Sequence, residues 1–351
     1  MDEQGAYPGF APSAYGAPAP FVPAPLPEPG AAPQFRPLST GEVLDRTFAL
    51  YRKRFWLFVG IGMLPAGMLL LSSSIRLIFL ATTNRTNVLR PMPGQLPMNS
   101  MMSSMLLLQA YTLPATILFL VAYGISHAAT VDAVNRIAEG SETAVRAAFD
   151  AVRGRWLRWC GIVLRQFWSA MWPMLPGIVG IFVTVGILAV PRFKSNPVLI
   201  GSLFALAWAL LIAGVVFGVL NYVRNTLAVA ASVSENLGVG ASMRRSKMLV
   251  AGRKGRIFLA LLLLYALQMV VAAVQVPLLF AAMSLRGGAF IAVQAVVLLV
   301  QFVAVALVSP VSSIAFTLFY IDERVRREGF DIELLMRRTL PAAAPAYVPE
   351  I

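Results

Sequence analysis

Charged residues are scarce in this sequence of 351 residues: only 13% are Asp, Glu, Lys or Arg, whereas 58% are hydrophobic. A water-soluble domain carries about twice that share of charge, so the composition argues against an ordinary soluble protein and indicates a membrane protein. Acidic residues are fewer than basic ones, 16 against 29, which leaves a net charge of +13. Because the basic residues lie in short polar stretches between long apolar ones, we attribute the excess to membrane topology and expect no nucleic-acid partner.

Cysteine and histidine occur only once each. Cys160 alone cannot form an internal disulfide or a thiol metal site. His127, followed by Asp132, could relay protons, but an interfacial histidine with ordinary hydrogen bonds is the simpler interpretation. The sequence shows no nucleophile with a convergent base and no glycine-rich phosphate loop. We therefore predict that the protein is not an enzyme, has no catalytic residue, and uses no metal or cofactor.

The two ends of the chain differ in composition from the rest. Residues 1–35 are rich in Pro, Ala and Gly and poor in aliphatic residues, so we predict a disordered cytoplasmic tail. This start lacks the basic stretch and short apolar core of a cleavable signal peptide, so we expect it to be retained. We predict a flexible tail over 339–351 and a helical membrane domain over 36–338.

Six apolar stretches are long enough to cross a bilayer, which takes about 20 residues. They cover approximately 55–75, 101–126, 166–190, 198–222, 257–283 and 289–320. Backbone amides in lipid must pair internally, so these stretches predict six transmembrane helices and an all-α fold. Prolines interrupt five of them, and we expect kinks rather than breaks. The prolines are Pro65, Pro114, Pro173, Pro176, Pro277 and Pro310.

The distribution of charge predicts the orientation. Successive loops between the six segments must lie on alternate sides of the membrane. With this assignment, one side holds 22 of the 29 Lys and Arg residues and all 16 acidic ones. By the positive-inside rule this side is cytoplasmic, and both termini belong to it.

Three similar basic stretches predict an internal repeat. "RKRF", "RGRW" and "KGRI" align without gaps, and their arginines Arg54, Arg155 and Arg256 are 101 residues apart each time. Such spacing is typical of one supersecondary unit used three times. We predict three helical hairpins, over approximately 36–136, 137–237 and 238–338, each preceded by a basic elbow on the cytoplasmic side.

The three elbows contain the candidate functional residues. Their cations lie beside aromatic residues such as Trp56 and Trp156, a pattern typical of the membrane boundary. Topology and generic headgroup attraction account for this pattern, and a site for a specific anionic lipid is the sharper alternative. The candidate headgroup-binding residues are Arg52, Lys53, Arg54, Arg153, Arg155, Arg158, Arg253, Lys254 and Arg256.

The segments between hairpins show helical spacing of apolar residues. A helix capped by Ser141 is predicted before the second elbow, with Phe149 and Val152 on its apolar face. A second is predicted before the third elbow, with Met243 opposite Arg244 and Arg245. Both are interpreted as amphipathic helices on the inner membrane surface, and packing against the end of the bundle is an equally good alternative.

Polar side chains inside the apolar segments are few. Two glutamine pairs, Gln268 with Gln275 and Gln294 with Gln301, each share one helix face and could bond helices together or line a polar solute pathway. Arg165 and Arg76 are the charges placed deepest, and snorkelling to the interface explains them more simply than substrate binding. Four methionines could offer thioethers to Cu(I), although filling of apolar gaps is the commoner role. These are Met98, Met101, Met102 and Met105.

Three stretches resemble a known family. They are "PLSTGEVLDRTFALYRKRFW", "SENLGVGASMRRSKMLVAGRKGRIF" and "FYIDERVRREGFDIELL", which are similar to the membrane domain associated with glycerophosphoryl diester phosphodiesterases. The resemblance covers about 36–338 and implies a helical membrane domain of the kind that occurs alone in bacterial proteins. In the enzymes the chemistry belongs to a separate soluble barrel with histidines and metal-binding carboxylates, and this chain has no stretch that could form it.

These observations predict a non-enzymatic, multi-pass protein of the bacterial cytoplasmic membrane, acting as a scaffold or lipid-interacting component. The alternative is a transporter or permease for a small solute or lipid. The expected partners are anionic lipid headgroups on the cytoplasmic side, together with either another protein or a second copy of the chain.

Overall fold

The computed structural model describes residues 38–82, 98–188, 196–285 and 287–329, and the two predicted tails lie outside them. Across the described residues the chain forms eleven α-helices and no strand. The helices are α1 (Thr40–Lys53), α2 (Phe55–Thr82), α3 (Met98–Ala138), α4 (Val145–Arg153), α5 (Trp156–Met171), α6 (Leu175–Leu188), α7 (Pro197–Asn225), α8 (Ala228–Glu235), α9 (Val239–Val250), α10 (Lys254–Ser284) and α11 (Gly287–Glu328).

Six helical stretches are long and apolar enough to cross a membrane, as the hydropathy pattern predicts. The third joins α5 to α6 and the fourth joins α7 to α8. The stretches are Phe55–Phe79, Ala110–Ala138, Trp156–Ile187, Pro197–Glu235, Lys254–Ala282 and Gly288–Glu328. The prediction of an all-α polytopic membrane protein is therefore confirmed.

Two of the predicted segments stop or start about ten residues away from the observed helix ends. The segment 101–126 continues to Ala138, and the segment 166–190 begins already at Trp156. The added part of α5 is amphipathic, with Trp159 and Ile162 buried and Arg165 exposed, and the added part of α3 contains polar residues such as Thr130 and Asp132. A search for continuous apolar residues misses such ends because their polar residues interrupt the run.

Prolines are accommodated in two ways. Helices α2, α3, α10 and α11 continue through Pro65, Pro114, Pro277 and Pro310 respectively. At Pro173 the α-helix gives way to a short 3-10 turn, Trp172–Met174, between α5 and α6. The helical path nevertheless continues through this turn, since Trp156–Ile187 forms one stretch long enough to span a membrane. The local tightening is explained by the proline ring, which removes a backbone donor of the α-helical ladder.

Helix α11 is central to the bundle. It packs along α2 and also contacts α1, α3 and α10. The part of α11 from Ala306 to Tyr320 is largely buried, and Phe58 and Ile61 of α2 have no exposed surface. The main apolar core therefore lies between α2, α3 and α11, near one end of the bundle.

That end is named here the polar end: α2, α5 and α10 begin there, and α3, α8 and α11 finish there. Two hydrogen bonds show which segments of the chain meet at this end. The backbone N–H of Leu38 donates to Asp322 near the end of α11, and Arg54 before α2 bonds Glu142 in the loop after α3. The chain therefore enters and leaves the described bundle at the same end.

The short helices α4 and α9 pack against the bundle. Helix α4 contacts α2 and α3 through Ala148 and Val152, which are buried. Helix α9 contacts α5, α7, α8 and α11 and buries Met243 and Leu249. Of the two interpretations left open by the sequence, these contacts support packing on the bundle end.

Two details near these helices differ from the prediction. The residue that precedes α4 is Ala144, without a side-chain cap, while Ser141 instead donates to the carbonyl oxygen of Arg136. Helix α8, which the sequence did not predict, is buried along most of its length. Because α8 is surrounded by protein, it lacks the amphipathic period by which surface helices are recognised.

Helices α6 and α7 pack against each other as an antiparallel pair, which is named here the α6–α7 hairpin. Helix α6 packs mainly on α7, and their contact depends on small residues. A Cβ atom on Gly214 would approach the carbonyl oxygen of Pro173 to 2.3 Å, and one on Gly177 would approach the backbone nitrogen of Leu211 to 2.4 Å. Glycine at both positions allows the backbones to touch, as is common between membrane helices.

Candidate functional site

Three arginines interrupt the helical backbone where a short helix passes into a long one at the polar end. They are Arg54 (φ −125°, ψ 43°), Arg155 (φ −131°, ψ 23°) and Arg253 (φ −126°, ψ 25°). The first two are aligned by the predicted repeat, but the third aligned residue, Arg256, lies in the first turn of α10. Gly252, with a φ of 79°, lies between α9 and α10, and α10 begins at Lys254, two residues before the aligned arginine. The threefold repeat itself stays a prediction.

The first junction leaves two cations exposed and engages a third. Arg52 and Lys53 are exposed and pair with no carboxylate of the described residues. Arg54 donates to Glu142 at 3.2 Å. Trp56, in the next turn, is 79% exposed. The junction thus presents two cations and one indole on its surface.

Helix α1, which carries the first junction, is fixed at both ends. At its start, Ser39 and Glu42 form a reciprocal capping box. At its end, the hydroxyl of Tyr51 donates to the carbonyl oxygen of Leu307 in α11 at 2.9 Å. Burial raises the pKa of Tyr51 to about 12, so this donor keeps its proton at physiological pH.

The second junction directs two arginines to one acceptor. Arg155 and Arg158 both donate to the side-chain oxygen of Asn236, which has a left-handed backbone (φ 53°) and ends α8. Arg153 remains exposed, and Trp156 is 45% exposed. This junction therefore joins α5 to α8 while keeping one cation and one indole at the surface.

The third junction contains a buried ionic cluster. Arg256 pairs with Asp322 and with Glu323, the latter at 3.1 Å, and it also donates to the carbonyl oxygen of Leu38. The side chain of Arg256 is only 16% exposed, and those of its two carboxylate partners are 1% and 0% exposed. Arg253 approaches Glu323 at 3.7 Å, whereas Lys254 is exposed. The sequence predicts Arg256 as a headgroup-binding residue, and in the structure its side chain pairs with two carboxylates of α11.

A second ionic cluster lies beside the first. Arg245 of α9 pairs with Glu235 at 2.8 Å and with Glu328 at 2.6 Å. The hydroxyl of Tyr320 donates to Glu235 at 2.6 Å, and Arg324 pairs with Glu328 at 3.1 Å. The hydrogen bond to Glu328 raises the pKa of Arg245 above its ordinary value, so this cation stays charged. The cluster joins α8, α9 and α11, and the sequence did not reveal it because its members are distant along the chain.

The four candidate glutamines are not brought together. Gln268 is exposed and lines a cavity of about 440 Å³ between α3, α7, α10 and α11. Gln275, Gln294 and Gln301 are half-buried, do not line this cavity, and make no hydrogen bond with a described residue. A glutamine missed by the sequence analysis does join helices: buried Gln166 of α5 donates to the carbonyl oxygen of Asn225 in α7.

The remaining candidates lie apart from the junctions. His127 is buried between the rings of Tyr123 and Phe316, and its Nε2 atom has no hydrogen-bond partner among the described residues. Arg165 is exposed and Arg76 is half-buried. The side chains of the four methionines lie outside the described residues. Within those residues, no group of three or more His, Cys, Asp or Glu side chains could hold a metal ion.

Comparison with known proteins finds no matching family, no matching curated protein and no matching solved structure. The resemblance to the membrane domain of glycerophosphoryl diester phosphodiesterases therefore stays a prediction from the three sequence stretches.

Proposed function

We propose that the protein is a non-enzymatic, lipid-interacting component of the bacterial cytoplasmic membrane, with its polar end in the cytoplasm. The observation that supports this proposal is the pairing of exposed cations with exposed aromatic rings at all three junctions. Arg52 and Lys53 lie one turn from Trp56, Arg153 lies near Trp156, and Lys254 lies one turn from Phe258. Cations beside interfacial aromatics suit a surface that meets anionic headgroups.

The nine candidate cations divide into two groups with different roles in this proposal. Five of them bond protein acceptors and hold helices together: Arg54, Arg155, Arg158, Arg253 and Arg256. The other four are exposed and pair with no described carboxylate: Arg52, Lys53, Arg153 and Lys254. Only this second group is free to bind lipid headgroups without breaking a protein contact. The proposed headgroup site is therefore smaller than the sequence pattern indicates.

The proposal can be tested by substituting these four residues. Replacing all four with Gln removes four charges, and each basic residue near an anionic surface contributes about 1 kcal/mol to membrane attraction. Native mass spectrometry of the purified protein in mild detergent, with phosphatidylglycerol or phosphatidylcholine added, should show a selective loss of phosphatidylglycerol adducts. A matched variant with Arg and Lys exchanged at the four positions keeps every charge and should retain the adducts. Equal retention by the Gln variant and the wild type would contradict the proposal.

The proposed orientation has its own test. Cys160 is buried, so a Lys53→Cys variant carries one accessible thiol. A membrane-impermeant maleimide should leave this thiol unmodified in intact cells and modify it after the membrane is opened. Modification in intact cells would place the polar end outside the cytoplasm and refute the orientation.

A transporter is the second candidate, and the cavity beside Gln268 is the observation that favours it. A pathway across the membrane would need polar groups along most of its length. Gln275, Gln294 and Gln301 do not extend the lining of the cavity, so we rank this function below lipid interaction. Uptake of a solute by proteoliposomes, abolished by Gln268→Leu, would reverse that ranking.

A further inference from the structure

The cavity between α3, α7, α10 and α11 has an uncharged, aromatic lining. Of the described residues around it, none is charged. Five are aromatic: Phe119, Tyr123, Tyr222, Tyr265 and Phe316. Its volume of about 440 Å³ falls within the usual range of ligand sites, roughly 300–1,000 Å³. A charged headgroup would find no counter-ion here, whereas apolar chains and flat rings would be in contact with apolar and aromatic walls.

Several polar groups in this lining have no partner in the part of the chain that the structure describes. The hydroxyls of Tyr222 and Tyr265 and the amide of Gln268 make no hydrogen bond with a described residue. Tyr123, by contrast, lies beside the hydroxyl groups of Ser312 and Ser313 of α11. A polar group that faces an apolar environment without a partner is costly, so the three free groups favour a ligand that supplies carbonyl or hydroxyl oxygens.

The cavity is open on the side of α10, towards the outer surface of the bundle. Its α11 wall is buried, with Phe316 at 3% and Ser309 at 8% exposure, whereas Tyr265 on α10 is 61% exposed. Helix α10 packs mainly on α11 and has a smaller contact with α7, so the wall of the cavity that carries Tyr265 is the exposed one. A ligand would therefore enter from the lipid phase.

The polar groups also lie deep. Tyr265 and Gln268 follow Arg256 by nine and twelve residues in one continuous helix, which is about 14 and 18 Å along its axis. Half of a bilayer's hydrocarbon core is about 15 Å. If Arg256 marks the membrane boundary, the free hydroxyl and amide lie close to the midplane, far from the phosphate groups of ordinary phospholipids.

We propose that this cavity binds an uncharged lipid that carries carbonyl or hydroxyl groups on an apolar tail. Two classes of membrane molecule share this chemistry: quinones with a long tail, and neutral glycerolipids such as diacylglycerol. The site is separate from the headgroup-binding cations at the junctions, so each proposal can fail without the other.

Binding can be measured by native mass spectrometry of the full-length protein in mild detergent. Three probes are added separately: a benzoquinone with a decyl tail, dioctanoylglycerol, and dioctanoyl phosphatidylglycerol as the charged counterpart. We expect one of the two neutral probes to bind with one molecule per chain. The probe that binds shows whether the ligand is a quinone or a neutral glycerolipid. Absence of binding by both neutral probes would overturn the proposal.

Variants locate the bound probe. Tyr222→Phe combined with Gln268→Leu removes two free hydrogen-bonding groups and should weaken binding of the neutral probe about tenfold. Leu261→Trp fills part of the cavity and should abolish binding. Gln294→Leu is the matched control: it removes a half-buried glutamine that lies in α11 but outside the cavity, and affinity should not change.

Folding is checked by the elution profile of each variant and by its apparent melting temperature. If the Tyr222 and Gln268 variant is folded and binds as tightly as the wild type, the site is wrong. The same holds if Gln294→Leu weakens binding equally, or if phosphatidylglycerol binds with the same dependence on Tyr222 and Gln268.

Discussion

The polar end and the α6–α7 hairpin are held together by different means. At the polar end, large side chains such as Phe58, Phe319 and Tyr320 are fully buried beside two ionic clusters. In the described parts of α6 and of α7 up to Tyr222, the fully buried residues are all small. They are Gly177, Thr184, Ala207, Gly214 and Gly218.

The surroundings explain this difference. Near water, burying a large apolar side chain is favourable, and paired charges can be excluded from solvent by the helices around them. In lipid, a large apolar side chain gains little by leaving the tails for a neighbouring helix. Close approach of the backbones is then the main source of contact energy, and only small residues permit it. The polar end thus resembles the core of a soluble protein, whereas the hairpin follows the rules of membrane packing.

The largest effect that this comparison predicts is at the buried ion pair. Asp322→Ala should leave Arg256 without its closest carboxylate and should remove the acceptor of the Leu38 N–H group. Removal of one partner of a buried pair costs about 3–5 kcal/mol. We therefore expect a large fall in the apparent melting temperature of the purified protein, measured by tryptophan fluorescence on heating.

Asp150→Ala is the control for this substitution. Asp150 pairs with Arg146 within α4 at 3.8 Å, and both side chains are exposed. Exposed pairs of this kind contribute well under about 1 kcal/mol. Similar melting temperatures for the two variants would mean that the clusters at the polar end do not hold the bundle together.

A smaller loss is expected in the hairpin. Gly214→Ala places a methyl group against the carbonyl oxygen of Pro173, at a backbone that cannot move away as a side chain would. Overpacking of this type costs about 1–3 kcal/mol. The readout is again the apparent melting temperature in mild detergent.

Gly201→Ala in the same helix should behave in the opposite way. No atom lies within 4 Å of a Cβ added at Gly201, so the substitution meets open space. Alanine is the better helix former by about 0.5–1 kcal/mol. If Gly214→Ala were tolerated as well as Gly201→Ala, close backbone contact would not explain the packing of α6 on α7.

Much of the fold was predictable from local properties of the chain. The six spans follow from the length of apolar runs, and the buried face of α9 follows from the helical spacing of Met243, Ser246 and Val250. These predictions succeed because each depends on residues within one helix. The exposed cations and indoles at the first two junctions follow from composition in the same way.

The contacts that join helices were not predictable. Arg256 and Asp322 are 66 residues apart, and no local pattern indicates that their side chains meet. The aligned arginines Arg54, Arg155 and Arg256 look equivalent in sequence, yet their acceptors are a loop glutamate, a capping asparagine and a buried carboxylate pair. Which of the candidate cations pair with protein acceptors is therefore a property of tertiary structure.

The smallest predicted effect is a gain in stability at the second junction. Asn236 accepts hydrogen bonds from both Arg155 and Arg158 while it is neutral. Asn236→Asp keeps the acceptor oxygen and adds a negative charge between the two guanidinium groups. Aspartate also tolerates the left-handed backbone at this position, where φ is 53°. Because the arginines are not buried, we expect a rise of at most about 1 kcal/mol.

The dependence of stability on salt distinguishes charge attraction at Asn236→Asp from a change in backbone geometry at the end of α8. A gain that comes from attraction between exposed charges should shrink as ionic strength rises from 0.01 to about 1 M, where the screening length falls from about 30 to about 3 Å. Asn236→Gly keeps the left-handed backbone and loses the acceptor, so it should lower stability slightly at all salt concentrations. If the gain in stability of Asn236→Asp persisted in high salt, it would come from backbone geometry at residue 236. The two arginines would then not join α5 to α8.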